Sequence, residues 1–383
     1  YKQNPRATII SMNRKKRELL LRGTSETDAN LLYFAGIQIP DPFFAFTLGG
    51  RKCALLSPLE AGRASRGSNL DEIFDISETC SRAKIPYSDF PALCKILKSK
   101  KVSALAVAEN FPSKFYADLC REGFDVEIRE GQFFPEREIK TERELREISR
   151  ANSAAAAGFA IAEEILRLSK ISRGRLLFDS RPLTCEFLRA EIEKAALSLG
   201  ADSMHTIVAA GDGACDPHNE GSGAIRANSL IVMDIFPRLK SSGYYGDMTR
   251  TFLRGEPSKE QARLVETVLD AQAIALSKIS AGADGADIHE HVKNFFIENG
   301  YETKSSKDGW SGFFHSTGHG VGLDIHESPS LGAKSCPLKA GNVVTVEPGL
   351  YYRGVGGCRI EDTVAVTKTG ARMLSDYHYE WII

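Results

Sequence analysis

The sequence predicts a two-domain α+β protein, with a smaller α/β domain over residues 1–135 and a larger domain over residues 136–383. Three observations predict this architecture. The first 130 residues or so alternate strand-like and helix-like segments, the charged run Glu136–Glu147 interrupts them, and strand-like pairs dominate from residue 229 onward. The 383 residues suffice for two or three domains of about 100–200 residues each.

The N-terminal domain is predicted from five segments. Apolar and aromatic runs predict strands at Asn30–Gly36, Phe43–Leu48 and Cys53–Ser57. The spacing of the apolar residues predicts a helix over Phe90–Lys98, and Val102–Ala108 is typical of the buried strand that follows such a helix.

Two helices of the second domain are predicted to begin in the same way. Thr141 is followed by Glu144, and Ser258 is followed by Gln261, at the spacing of a capping box. An apolar periodicity follows each box. The boxes lie 258 − 141 = 117 residues apart, which hints at an internal duplication, although capping boxes also recur by chance.

Strand pairs are predicted after each of these helical regions. Ser229–Arg238 and Tyr244–Leu253 are typical of the two arms of one hairpin. Asn342–Glu347 and Cys358–Thr367 are predicted to form a second pair, joined through the glycine-rich segment Gly354–Gly357.

Composition narrows the class of protein. The chain has 49 Lys and Arg against 50 Asp and Glu, a formal net charge of −1, which disfavours a nucleic-acid partner. No apolar run reaches the roughly 18–20 residues of a membrane span. The basic segment Asn13–Arg17 is unlike the apolar centre of a secretion signal. The 8 cysteines include no Cys-x-x-Cys pair, which favours reduced thiols and a cytoplasmic location.

Four acidic residues in or beside the predicted strands are candidate metal ligands. Asp234 interrupts an apolar run, Asp247 lies on the facing arm, and Glu347 and Glu361 belong to the second strand pair. Each alone is compatible with an ordinary ion pair. Together they converge only if the two pairs pack against each other. In that arrangement their mutual repulsion favours a bound divalent cation.

Histidines cluster beside these acids. His315, His319 and His326 fall within twelve residues and are interleaved with glycines, which permit close approach of a ligand to the backbone. This density indicates a functional site rather than three structural histidines. His205 has no such neighbours and is interpreted as structural.

In their order along the chain, four motifs resemble the pita-bread metallopeptidases, the family that includes Xaa-Pro aminopeptidase and prolidase. The motifs are Tyr245–Phe252, His315–Glu327, Thr345–Tyr351 and Arg359–Asp362. The resemblance covers roughly residues 137–375. It implies a C-terminal pita-bread domain preceded by a smaller creatinase-like α/β domain.

The resemblance implies a set of five metal ligands for two divalent ions per subunit. They are Asp234, Asp247, His319, Glu347 and Glu361. In the family pattern Asp247 and Glu361 bridge the two ions. Four carboxylates and one imidazole favour Mn or Co, with Zn and Fe as alternatives.

The resemblance also implies catalytic roles. Glu347 would take a proton from the attacking water, His326 and His218 would hydrogen-bond the substrate carbonyl and its developing negative charge, and His315 would line the pocket. Three further residues would orient the ligands from behind, namely Arg359, Tyr351 and Thr249.

Departures from the family pattern bear on the substrate. Asp234-Ile-Phe236 replaces the usual Asp-x-Gly, and Asp247 follows Asp234 by an unusually long 13 residues. Ser330 stands where small prolidases carry an arginine that binds the substrate carboxylate. We therefore expect an Xaa-Pro aminopeptidase acting on short proline-containing peptides, and a homodimer. The alternatives are an Xaa-Pro dipeptidase and a non-catalytic binding protein of the same fold.

Overall fold

The computed structural model describes residues 17–307 and 309–383. The described residues up to Phe134 form one compact unit and Pro135–Ile383 form a second. Helices and sheets occur in both, so the predicted α+β class is confirmed. Of the basic segment 13–17, only Arg17 lies among the described residues. Within the described ranges no helix has the length and apolarity that crossing a membrane requires.

A mixed six-stranded sheet flanked by helices forms the first unit. Its elements are β1 (Glu18–Gly23), α1 (Ala29–Ala35), β2 (Phe43–Leu48), β3 (Arg51–Leu56), α2 (Pro58–Gly67), β4 (Glu72–Asp75), α3 (Ile76–Ala83), α4 (Asp89–Ser99), β5 (Ala104–Ala108), α5 (Ser113–Arg121) and β6 (Asp125–Arg129). The strand order is β4-β3-β2-β1-β5-β6. The predicted strands and helix between residues 43 and 108 are therefore confirmed.

The strand predicted at Asn30–Gly36 is wrong, because these residues belong to helix α1. The Asp28 side chain caps the helix by accepting a hydrogen bond from the Leu31 amide. Gly36 ends it in the left-handed conformation, at φ 67°. The aromatic run Tyr33-Phe34 favoured a strand by propensity, and the caps outweighed it.

The second unit begins with a short 3₁₀ helix (Pro135–Glu138) and then two long helices followed by a sheet. The elements are α6 (Glu142–Leu168), β7 (Lys170–Ser172), β8 (Arg175–Phe178), β9 (Arg181–Pro182), α7 (Cys185–Ser198), β10 (Ala201–Asp202), β11 (Ile207–Ala210), β12 (Leu230–Ile235), β13 (Arg238–Leu239) and β14 (Met248–Leu253). Strands β11, β12 and β14 form an antiparallel sheet.

The rest of the unit repeats this order of two helices and a sheet. Its elements are α8 (Lys259–Lys278), α9 (Gly285–Glu298), β15 (Lys304–Ser306), β16 (Gly309–Ser311), β17 (Gly318–Gly320), β18 (Glu327–Leu331), β19 (Val343–Val346), β20 (Gly349–Tyr352), β21 (Gly356–Arg359), β22 (Asp362–Val366) and β23 (Ala371–Met373). The sheet order is β18-β17-β19-β22-β23. Helices α6 and α8 both begin with the predicted capping box.

The predicted strand pairs form, with one difference. Strand β12 pairs antiparallel with β14, and β19 pairs antiparallel with β22. However, Cys358–Thr367 is not one strand, because Ile360 and Glu361 separate β21 from β22. The segment Gly354–Gly357 lies at the turn of an additional β20–β21 hairpin, where Gly354 adopts φ 87°.

The two largest clusters of buried side chains in the second unit pack helices against its two larger sheets. Phe159 of α6 and Ile192 of α7 are buried with Phe252 of β14 in one cluster. Val268 of α8 belongs to a separate cluster that includes Val344 of β19. Burying side chains of this size contributes about 1.5–3 kcal/mol each, so both sheets are firmly backed.

Candidate metal and catalytic site

The five predicted metal ligands lie at the ends of strands in the second unit. Asp234 is in β12 and His319 in β17, whereas Asp247, Glu347 and Glu361 directly precede or follow β14, β19 and β22. The first sheet thus supplies two of these side chains and the second sheet three. The hydrogen bond from the Glu361 amide to the Thr249 carbonyl, at 3.0 Å, joins the two sheets at this point.

All five side chains line one cavity of about 440 Å³. The same cavity is lined by four further residues that the sequence singled out, namely His218, His315, His326 and Arg359. Apolar walls are provided by four residues, Ile207, Pro217, Phe236 and Ile325. A concave site with apolar walls and convergent polar groups is typical of ligand binding.

Three of the five predicted ligands form the tightest group. One ligand atom each of Asp247, His319 and Glu361 lies within 4.8 Å of the others. His319 Nδ1 lies 3.1 Å from the Gly320 carbonyl, which only accepts hydrogen bonds, so the ring proton is on Nδ1. The free Nε2 therefore faces the acids, 3.5 Å from both Asp247 Oδ2 and Glu347 Oε1. This is the tautomer that a metal-binding histidine requires.

Arg359 connects the other side chains from behind. Its Nη2 donates to Asp234 Oδ2 at 2.7 Å, and its Nη1 donates to the Tyr351 hydroxyl at 3.0 Å. Its Nε donates to Thr249 Oγ1 at 3.3 Å, and Thr249 in turn donates to Glu361 Oε2 at 2.7 Å. Arg359 thereby fixes the orientation of two carboxylates.

Burial and mutual repulsion perturb the carboxyl groups. Burial, reinforced by the neighbouring Glu361, Asp234 and Glu347 charges, raises the pKa of Asp247. Burial, reinforced by the neighbouring Glu347 and Asp234 charges, also raises the pKa of Glu361. Burial raises the pKa of Glu347 from its ordinary 4.5 to about 8, against the opposing effect of the Arg359 charge. Without a cation, these groups hold protons in order to coexist.

The cluster fits a divalent cation. Asp234 Oδ1 is buried and has no hydrogen-bond partner among the described residues. A buried carboxylate oxygen without a donor is costly unless a cation or a proton neutralises it. Hard oxygen donors and one imidazole are ligands that divalent metals accept.

His315 is fully occupied by internal hydrogen bonds. Its Nδ1 donates to the Ser316 carbonyl at 2.8 Å, so Nε2 accepts from the Tyr351 hydroxyl at 2.9 Å. Burial lowers the pKa of His315 to about 3, which keeps the ring neutral. Among the described residues, the Tyr351 hydroxyl therefore bonds to His315 and Arg359, and it is connected to Asp234 through Arg359.

His218, in a turn between β11 and β12, and His326, directly before β18, both line the cavity. The His326 ring stands edge-on to His319, with centroids 4.3 Å apart. Desolvation and the neighbouring His218 lower the pKa of His326. A neutral imidazole offers one N–H donor to a ligand in the cavity.

Sequence reasoning missed three contributors. The Asn152 side chain in α6 accepts the Asp247 amide at 2.9 Å, and Thr345 Oγ1 accepts the His319 amide at 3.1 Å. His205, interpreted as structural, lines the cavity and pairs with Glu220 at 2.8 Å. Asn152 carried a usable signal, since it is a polar side chain among the buried apolar residues 148, 151, 155 and 159 of α6.

The raised carboxyl pKa values predict how stability depends on pH. In protein treated with a chelator, Glu347 holds its proton up to about pH 8 when folded but releases it near 4.5 when unfolded. The folded state binds more protons in this window, so stability falls as pH rises from about 5 to 8. Because metal competes with these protons, added Mn²⁺ should raise Tm more at pH 8 than at pH 5. Calorimetry checks this; an equal gain at both pH values contradicts it.

Comparisons with known proteins agree with this geometry. The model of metallopeptidase family M24 matches residues 145–368. The chain is 30% identical to the Xaa-Pro dipeptidase of Pyrococcus furiosus over 301 residues, which is 76% of this chain and 78% of that protein. It is 35% identical over 228 residues to the uncharacterized peptidase YqhT of Bacillus subtilis, 58% of this chain and 62% of that one.

Solved structures extend the likeness over most of the chain. An X-Pro aminopeptidase from Thermotoga maritima matches with a TM-score of 0.81 and 23% identity, covering 96% of this chain and 97% of that one. An Xaa-Pro dipeptidase from Bacillus anthracis matches with a TM-score of 0.80 and 26% identity, covering 96% and 95%. The pita-bread fold implied by the four motifs is therefore confirmed. Because the family model covers more than half of its residues, the chain belongs to metallopeptidase family M24.

Proposed function

We propose that the chain is a metal-dependent Xaa-Pro aminopeptidase, which removes the N-terminal residue that precedes a proline. The observation that carries the proposal is the convergence of the five predicted metal ligands from two sheets on one cavity. The relatives named as Xaa-Pro peptidases support the proline specificity. Because all five predicted positions carry side chains able to bind a metal, a non-catalytic binding protein is disfavoured.

The proposed metal centre uses the five side chains in two groups. Asp247 and Glu361 would be shared between two divalent ions, Asp234 would hold one ion, and His319 with Glu347 the other. Divalent ions at such a centre polarise a carbonyl group and make a water acidic enough to ionise near neutral pH. We propose Mn or Co, with Zn and Fe as alternatives.

The side chains of the cavity then divide the remaining work. Glu347 accepts a proton from the attacking water, a role that fits a carboxylate in the lining of the cavity. His326 and His218 donate hydrogen bonds to the substrate carbonyl and to the negative charge it develops. His315 stays in the wall, and Arg359, Tyr351 and Thr249 hold the acids in place.

The cavity favours peptides longer than two residues. Arg359 is the only Lys or Arg among the described residues that line it, and its guanidinium is committed to Asp234, Thr249 and Tyr351. Ser330 pairs with His319 in the sheet and is absent from the lining. The carboxylate of a dipeptide would therefore find no free guanidinium or ammonium partner there.

Comparing Ala-Pro with Ala-Pro-Ala tests this preference. We expect kcat/KM to be at least about 10-fold higher for Ala-Pro-Ala. The carboxylate of Ala-Pro would enter the cavity without a charged hydrogen-bond partner, and such a hydrogen bond is worth about 1.5–3 kcal/mol. Ala-Ala-Ala is the control for the proline requirement. A preference for Ala-Pro would establish a dipeptidase, the activity in the name of the Pyrococcus furiosus relative.

Other parts of the proposal follow from chain-wide features. All eight cysteines are free, which supports a reducing, cytoplasmic location. We also propose the domain division at residues 135/136 and a homodimer; sedimentation of the purified protein measures the latter.

A further inference from the structure

A buried ion network lies beside the cavity. Arg137 Nη2 donates to Glu327 Oε2 at 2.7 Å and to Asp324 Oδ2 at 2.8 Å, and Lys140 Nζ donates to Glu327 Oε1 at 2.5 Å. The side chains of Arg137, Lys140 and Glu327 are only 5%, 2% and 5% exposed. Both oxygens of Glu327 are thus bound by a different cation in a place from which water is excluded.

This network binds the segment that contains His326. Glu327 follows His326 directly, and it opens strand β18. Asp324 lies two residues before His326, and Arg137 bonds to both Asp324 and Glu327. The fit is close, because a Cβ at Gly322 would lie 2.6 Å from Glu327 Oε1. The segment 322–327 is therefore packed around the Glu327 carboxylate.

The two cations are themselves anchored to the second sheet. The Lys140 amide donates to the Gly341 carbonyl at 2.8 Å, and the Gly341 amide donates to the Val366 carbonyl of β22 at 2.9 Å. Next to Arg137, the Glu138 carbonyl accepts from Asn342 Nδ2 at 2.9 Å. Arg137 and Lys140 consequently attach residues 322–327 to the part of the second sheet that contains β22.

We propose that Arg137, Lys140 and Glu327 are positioning residues, which hold the His326 imidazole where it meets the substrate carbonyl. The inference rests on the proposed function in one respect, the contact between His326 and substrate. None of the three residues lines the cavity, so their effect on the reaction is transmitted through the backbone of residues 322–327. A displacement of about 1 Å at a positioned group can cost about 10²-fold in rate.

Hydrogen exchange tests, without any substrate, whether the ion network holds residues 322–327 in place. Glu327→Gln keeps the size of the side chain and removes its charge, and Lys140→Met is the milder variant that removes one of its two cations. We expect amide exchange in residues 321–327 to quicken in both, relative to the wild type. Glu163→Gln is the matched control, since Glu163 is a buried carboxylate bound by Arg167, Tyr377 and His378 instead. Unchanged exchange in 321–327 overturns the proposal.

Kinetics then test whether the ion network affects the reaction through His326. We expect Glu327→Gln to lower kcat about 10- to 100-fold with KM and metal content nearly unchanged. In a His326→Ala background the same change should cost nothing further, because the group that it positions is gone. Arg137→Lys, which keeps a cation, should retain more activity than Arg137→Met.

The outcomes separate the two ideas. If Glu327→Gln lowers kcat by the same factor with and without His326, the positioning proposal is wrong even though the peptidase assignment stands. If His326→Ala leaves kcat unchanged, the proposed role of His326 is wrong. The exchange experiment still decides whether the ion network holds residues 322–327 in place.

Discussion

Glu347→Gln should reduce kcat by at least about 10³-fold, which is within the range that a positioned general base contributes. The amide that replaces the carboxylate has nearly the same shape but cannot accept the proton. The Glu347 amide hydrogen bond to the Thr317 carbonyl, at 2.8 Å, involves only the backbone and persists in the variant. We therefore expect the fold to be retained, as measured by circular dichroism and Tm.

Metal content must be measured in the same samples, because Glu347 is also a proposed ligand. Activity per bound metal separates the two roles. Asp247→Asn is the informative comparison, since its loss of activity should match its loss of metal, whereas Glu347→Gln should lose activity in excess of metal. If Glu347→Gln keeps more than a few per cent of activity, Glu347 is not the base.

His326→Ala should lower kcat by about 10²–10³-fold, the usual effect of removing one donor to a developing oxyanion. The imidazole faces the cavity and stands edge-on to His319, 4.3 Å between centroids, but it is outside the tight group formed by Asp247, His319 and Glu361. Metal content should therefore stay close to the wild-type value while kcat falls.

The control is His291→Ala, an exposed histidine in α9 that bonds to the Asp287 carbonyl and lies outside the cavity lining. It should leave kcat and metal content unchanged. A loss of metal that parallels the loss of activity in His326→Ala would contradict the assigned role, because His326 would then be acting on the centre itself.

Much of the fold was predictable where local chemistry is decisive. The capping boxes at Thr141 and Ser258 both satisfy backbone amides in the structure, so they located the starts of α6 and α8 correctly. The Asn30–Gly36 segment shows the limit. Its aromatic residues favour a strand by propensity, whereas the Asp28 side chain caps a helix, and the cap decides the structure.

The site residues also differ in how clearly the sequence indicates them. Carboxylates in apolar strands and a histidine cluster are conspicuous in sequence, and the five ligands predicted from them line one cavity, where their binding of metal stays a prediction. Residues that act through backbone atoms are inconspicuous, as in the case of Thr345, which binds the His319 amide. The position of His205 on the rim depends on how the loop before β11 folds, and here His205 itself adopts φ 64°. Such loop geometry has no periodic signal.

The division of the predicted ligands between two sheets makes the centre dependent on the packing of the whole second unit. Asp234 and Asp247 come from one repeat of helices and strands, and His319, Glu347 and Glu361 from the other. Neither repeat by itself carries a complete coordination sphere. Metal binding would therefore depend on how the two sheets pack, and a substitution at their junction would empty the centre without replacing any of its ligands.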